Sequence, residues 1–168
     1  MISIRETYKD KTILIAGASG FIGKVALAMA LDLLPEIKRI YILMRPKRNQ
    51  SARQRFEETM NSSYAFQNLH EKYRFALPKL LREKVEVIEG DITHPNLGMS
   101  AYLREKLQNE LDLIINSTGL VDFFPELSLA NQVNVQSAIH LADFTMACKN
   151  AKLLHLSTCY VSGKQSGR

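Results

Sequence analysis

The sequence predicts an α/β sandwich, a mostly parallel sheet wound on both faces by helices. Three observations predict it. Short apolar runs rich in β-branched residues recur along the chain and alternate with longer segments of helical character. These runs are continuous rather than strictly alternating, as strands buried on both faces tend to be. The first of them, Thr12-Ile13-Leu14-Ile15-Ala16, passes at once into Gly17, Gly20 and Gly23, and then into a helical apolar pattern through Phe21, Ile22, Val25, Ala26, Met29 and Leu33.

Strand, glycine turn and helix form the first unit. Gly17 permits the turn, Gly20 lets the backbone approach a pyrophosphate at a positive helix end, and Gly23 lets the helix lie close to the strand. Glycines so spaced also punctuate ordinary turns; the flanking strand and helix are what point to a nucleotide site. Pro35 and Glu36 end this helix. Arg39 to Met44 reads as a buried second strand, closed by Pro46, which cannot donate to a ladder.

Ser51 to Met60 and Tyr64 to Leu81 read as helices, separated by Asn61-Ser62-Ser63, with the second kinked or broken at Pro78. This insertion, Ser51 to Lys84, exceeds a simple crossover and predicts a helical flap beside the nucleotide. Val85 to Glu89 is a third strand closed by Gly90-Asp91, followed by a loop with Pro95 and Gly98 and a short helix over Ser100 to Gln108. Leu111 to Asn116 is a fourth strand, Glu126 to Lys149 carries a long helix, and Lys152 to Ser157 is a fifth strand. Right-handed crossovers then predict the strand order 3-2-1-4-5 in a single domain over 1–168, without repeats, linkers or low-complexity segments.

The apolar runs are too short or too interrupted to span a bilayer, and Met1 leads into polar residues rather than a secretory core. Cys148 and Cys159 show neither metal-ligand spacing nor a disulfide framework. An intracellular, cytoplasmic, reduced domain with no transmembrane segment is the expectation; the oligomeric state stays open. His70, His94 and His140 share no metal-ligand spacing, and no metal site is predicted. His155, inside the fifth strand, reads as a packed core histidine. The formal charge is +5, and Arg45, Lys47, Arg48, Arg53 and Arg55 crowd together without an acid among them. A solvated basic loop or a nucleic-acid contact would account for such a cluster, but its place just after the second strand suggests a local task, and no nucleic-acid motif accompanies it.

The strand ends form a set. Gly17-Ala18-Ser19-Gly20-Phe21-Ile22-Gly23 resembles the GxxGxxG fingerprint of extended short-chain dehydrogenases/reductases, Gly90-Asp91-Ile92 their adenine-side pair, and Asn116-Ser117-Thr118-Gly119 their Asn-x-Ala-Ala turn. Tyr41 to Lys47, Ser51-Ala52, Asn96-Leu97-Gly98, Val121-Asp122-Phe123-Phe124 and Ser157-Thr158-Cys159-Tyr160-Val161 narrow the resemblance to the fatty acyl-CoA reductase family, from about Tyr8 to Gly163. Reductase domains that release thioester-bound acyl groups from carrier proteins share much of this pattern. The resemblance implies a Rossmann-type fold. It also implies hydride transfer from NADPH to an acyl-CoA or acyl-carrier thioester, giving an aldehyde or an alcohol.

Within that resemblance, Gly17, Ser19, Gly20, Phe21, Ile22, Gly23, Asp91, Ile92, Ser117, Thr118 and Gly119 are the expected cofactor contacts. Arg45 stands where NAD-selective members carry an acid; an acid would repel a 2′-phosphate, whereas a guanidinium binds it, so the cofactor expected is NADP(H). Arg55 in the flap is a second phosphate candidate or a solvent-facing helix residue. Asp91 would accept the adenine amino group, or simply cap its own turn. Thr158 would donate to the developing oxyanion, with Ser157 as the alternative donor, and Asn134 would hold a water or a lysine. Phe123-Phe124 would floor an acyl pocket or plug the core.

Three departures stand out. Ala16 and Thr118-Gly119 replace the usual Thr and Ala pair. The family's Tyr-x-x-x-Lys pair falls beyond Arg168; Tyr160 and Lys164 have that spacing but come too early. The expectation is therefore a cofactor-binding half of a longer reductase, inactive alone. Alternatives are an NADP(H)-sensing module and an extended reductase of nucleotide sugars or small carbonyls.

Overall fold

A computed structural model describes residues 3–158 together with Gly163 and Gly167. Among the described residues, five parallel strands form one sheet: β1 (Thr12–Ala16), β2 (Arg39–Met44), β3 (Val85–Glu89), β4 (Leu113–Asn116) and β5 (Lys152–His155), in the order β3-β2-β1-β4-β5. This is the predicted doubly wound order. In register, Ile13 faces Ile40 on one side and Leu113 on the other, and Ala16, Asn116 and His155 stand level at the carboxyl edge.

The pleat divides the core. Ile13, Ile15, Ile40 and Ile42 pack under α2 (Phe21–Leu33) and the helices of the insertion, through Leu27, Leu31, Phe56, Met60 and Phe66. Leu14, Ala16, Tyr41 and Leu43 face the other way, onto α6 (Ala101–Glu110) and α8 (Ser137–Met146) through Leu107, Leu141 and Phe144. Both faces of β1 are thus sealed, which is why Ile13 to Ala16 run without a polar residue. A further short helix, α1 (Ile4–Tyr8), capped by the Ser3 side chain, lies before β1 and has no buried residue. Without an apolar face it left no periodic signal.

Several boundaries differ from the sequence reading. The insertion folds as α3 (Ala52–Ser62), α4 (Gln67–Tyr73) and α5 (Leu77–Lys84), joined by short 3₁₀ turns. Asn61 and Ser62 stay inside α3, whose start carries a capping box from Ser51 and Gln54. The predicted second helix breaks at Arg74, not at Pro78; Pro78 sits in the first turn of α5, where a missing N–H costs nothing. In α2 the buried face is Gly23, Leu27, Ala30 and Leu31, while Phe21, Ile22, Met29 and Leu33 of the expected apolar stripe are exposed.

β4 begins at Leu113 rather than Leu111; Asp112 stands just before it, its backbone N–H donating to the Thr12 carbonyl at 2.9 Å. Its carboxylate accepts from Thr12 N–H at 2.9 Å and from the Lys11 ammonium at 2.9 Å. β5 closes at His155, before Ser157. The long helix is continuous but not uniform: α7 (Leu127–Ala130) runs into a π-helical stretch, Asn131–Gln136, and then into α8. Among the described residues, no helix is long and apolar enough to cross a membrane.

Candidate functional site

The carboxyl edge of the sheet carries two adjoining cavities. The first, of about 310 Å³, lies over the β1–α2 turn and is lined by Gly17 to Gly20, Arg45, Arg55, Asp91, Ile92, Thr93 and Ser117 to Gly119, with Leu43, Met44 and Val133 at its walls. The second, of about 500 Å³, shares Gly20 and Ser117 to Gly119 and extends past Phe21, Ile22 and Val121 to Asn134, His155, Ser157 and Thr158. Sequence-distant candidates therefore meet in one groove. Gly23 lies beneath it, in the first turn of α2.

The turn is built on absent side chains. Gly17 has φ +92°, and a Cβ there would lie 2.7 Å from Ser117 Oγ. Ser117 is fixed from behind, its N–H and hydroxyl each donating to the Ala16 carbonyl at 3.0 Å. Among the described residues, no side chain caps the start of α2 at Gly20. Its first N–H groups, at the positive end of a 13-residue helix, are left for an anion. A pyrophosphate group fits this cradle on backbone grounds alone.

The basic cluster separates into tasks. Arg45 extends from the end of β2 and pairs with Asp91 at 3.4 Å, its side chain 67% exposed. Arg55 comes up from α3 and donates to the Arg45 carbonyl, which sets two guanidiniums beside the first cavity. Arg53 turns away to pair with Glu57 at 2.7 Å. Asp91 acts as a cap in this structure: one oxygen accepts from Thr93 N–H at 2.9 Å and its hydroxyl at 2.7 Å. Burial pushes the Asp91 carboxyl up, but the Thr93 bonds and the Arg45 charge together outweigh it and hold the carboxyl below its usual range.

In the second cavity, Asn116 is a hub that the sequence reading left without a role. It is 1% exposed. Its Oδ1 accepts from Thr118 N–H at 3.0 Å and from the Thr118 hydroxyl at 2.6 Å, and its amide nitrogen faces His155 Nδ1 at 2.9 Å. Because the oxygen is committed to Thr118, the nitrogen must donate, and His155 Nδ1 must accept. His155 is exposed at the cavity wall and not packed in the core as expected, because β5 is the edge strand of the described sheet. Its position level with Asn116 emerges only once β4 and β5 are paired.

Asn134 sits in the π-helical stretch, a local widening often found at functional sites. Its side chain binds the Leu120 backbone at both ends, accepting from N–H at 2.7 Å and donating to the carbonyl at 3.1 Å. Thr158 lines the same cavity. Phe123 and Phe124 are 79% and 95% exposed and do not plug the core. Cys159, Tyr160 and Lys164 lie outside the described residues. Cys148, half-buried at the end of α8, donates to the Phe144 carbonyl at 3.2 Å, and burial pushes its thiol up to about 11. Among the described residues, no group of three or more His, Cys, Asp or Glu side chains stands close enough to hold a metal ion.

The family model described as "Male sterility protein" matches residues 15–168. Among curated relatives, fatty acyl-CoA reductase 1 of Arabidopsis thaliana is 36% identical over 94% of this chain, and fatty acyl-CoA reductase 1 of Gallus gallus is 36% identical over 95%. The chain spans 33% and 30% of those proteins' lengths, respectively. Among solved structures, a thiolation-reductase di-domain from an archaeal non-ribosomal peptide synthetase is 27% identical with a TM-score of 0.71, over 91% of this chain and 29% of that one.

Proposed function

The chain belongs to the male sterility protein family, and from that premise we propose that it is the NADPH-binding half of a reductase that transfers hydride to an acyl thioester. The observation that carries the cofactor choice is the pair of guanidiniums, Arg45 at the end of β2 and Arg55 from α3, beside the glycine turn. A ribose 2′-hydroxyl needs an acceptor at that place, whereas a 2′-phosphate needs cations. Arg45 gives up a long, exposed contact with Asp91 to bind it, so little is lost in the exchange. Arg55 braces the Arg45 backbone and adds a second positive charge.

When bound, the nicotinamide supplies the hydride; the chain supplies position and hydrogen bonds. Ser117 and Thr118 would form the floor under it, and Asn116 locks Thr118 by accepting from both its N–H and hydroxyl. Asn134 holds the Leu120 backbone at the edge of the second cavity. Thr158, on the far wall of that cavity, is assigned the hydrogen bond to the carbonyl oxygen as negative charge gathers there. The proton that completes reduction, and the acyl pocket, belong to the remainder of a longer protein in this reading. The names of the relatives support a fatty acyl-CoA as the thioester, and the archaeal di-domain supports a carrier-bound acyl group as the second reading.

The test is calorimetric titration of this chain with NADPH and NADH, repeated with Arg45→Ala. A lost charge-assisted bond is worth about 1.5–3 kcal/mol, so the NADPH preference should fall roughly tenfold to a hundredfold in the variant. Equal binding of both nucleotides, unchanged by the substitution, would overturn the NADP assignment. Binding of neither would overturn the dinucleotide reading for this chain. The full-length protein then distinguishes acyl-CoA from acyl-carrier protein by turnover.

A further inference from the structure

The insertion between β2 and β3 encloses a third cavity, away from the glycine turn. It is a groove of about 430 Å³ between α3, α4 and α5, within the range of small-molecule sites. Its floor is apolar: Phe56, Met60 and Leu77 are buried there, beside Leu81. Its rim is cationic, with Arg53, Arg74 and Arg82 against one carboxylate, Glu57, among the described residues. Glu57 is already paired with Arg53, and neither Arg74 nor Arg82 takes part in an ion pair among the described residues. His70, also at the wall, is bonded through Nε2 to the Met60 carbonyl at 2.9 Å.

A second, independent feature marks the same place. Arg74 has φ +44° and ψ −121°, outside the left-handed well that non-glycine residues sometimes visit. This is the residue at which the expected continuous helix breaks. A backbone state of this kind costs on the order of 1–3 kcal/mol and persists where the surroundings impose it, often at ligand sites. Here it ends α4 and leaves a guanidinium at the groove.

We propose that this groove binds a single-chain anionic amphiphile, an alkyl carboxylate whose chain lies on Phe56, Met60 and Leu77 and whose head is met by Arg74 and Arg82. Charge selects the sign of the ligand, since a neutral chain would leave the guanidiniums unpaired and a cation would be repelled. The apolar floor selects against small hydrophilic anions. The site is separate from the dinucleotide groove: Arg55 serves that one from α3, while Arg53, Phe56 and Met60 of the same helix serve this one. It does not depend on the reductase reading.

Binding of decanoate, decanol and acetate to this chain, below micellar concentrations, tests the proposal. Decanoate should bind at least tenfold more tightly than either of the others. Arg74→Gln/Arg82→Gln should weaken decanoate at least tenfold, while Arg45→Ala leaves it unchanged. Arg82→Gln alone, on an exposed face of α5, should weaken it severalfold and keeps the test standing if the double variant misfolds. Equal binding of decanol, indifference to both arginine variants, or loss in Arg45→Ala would each overturn the proposal. An acidic amphipathic peptide that binds where decanoate does not would overturn it in favour of a protein partner.

Discussion

A Cβ on Gly23 would stand 2.2 Å from the carbonyl oxygen of Gly17. The first turn of α2 therefore rests on the glycine turn itself rather than on the strand, with Ala18 Cα 2.8 Å from the same point. Gly20 is different: its nearest neighbour would be the Gly17 oxygen at 3.3 Å, a contact that a shift of a few tenths of an ångström relieves. Gly23→Ala should thus cost stability of the overpacking kind, about 1–3 kcal/mol, and displace the turn. Gly20→Ala should cost well under half of that, yet weaken NADPH because its methyl group enters the space shared by both cavities. Urea melts paired with NADPH titration check the uncoupling; equal melting losses for the two variants would contradict the geometry.

Asp112 ties the beginning of β1 to the beginning of β4. Burial raises its carboxyl, but the Thr12 N–H bond and the Lys11 charge outweigh this and hold it below the usual range. A depressed carboxylate stabilises the fold above the unfolded pKa, near 3.9, and that contribution is lost as the pH falls through the folded value. The Asp112 contribution should therefore be constant above about pH 5 and decline in acid. Asp112→Ala leaves the buried Thr12 N–H without its acceptor and should cost about 1–3 kcal/mol at pH 7. The variant's acid decline should be shallower, which denaturant midpoints between pH 3 and pH 7 would reveal.

The strands, their order and the glycine turn were legible because each is carried by local chemistry: β-branched runs, turn residues and a glycine spacing. The three strand ends bearing Arg45, Asp91 and Ser117 were legible for the same reason. Asn116 and His155 were not, since their bond exists only after β4 and β5 pair in register. Asp112 was read as part of a strand because a single carboxylate bonding sideways leaves no periodic trace. Pro78 drew the predicted helix break to itself because proline is the strongest local signal, although its place in a first turn made it harmless. The arginine groove was invisible for another reason. Arg53, Arg74 and Arg82 lie on three helices, and only the packing of the insertion gathers them.

Arg74 offers the sharpest contrast between stability and binding. At φ +44° and ψ −121° a side chain is strained and glycine is not. Relief of that strain is worth about 1–3 kcal/mol, against a loss of about 0.5–1 kcal/mol for the extra freedom glycine gives the unfolded chain. Relief is the larger effect, so Arg74→Gly should stabilise the fold by roughly 0.5–2 kcal/mol, seen as a higher urea midpoint with an unchanged slope. The same substitution removes one of the two guanidiniums at the groove that take part in no ion pair among the described residues, and should weaken decanoate severalfold. A variant that is more stable and binds less would mean that the backbone strain is retained for the site. A variant that is less stable would mean that Arg74 is held by contacts worth more than its strain, and the groove would then rest on Arg82 and the apolar floor.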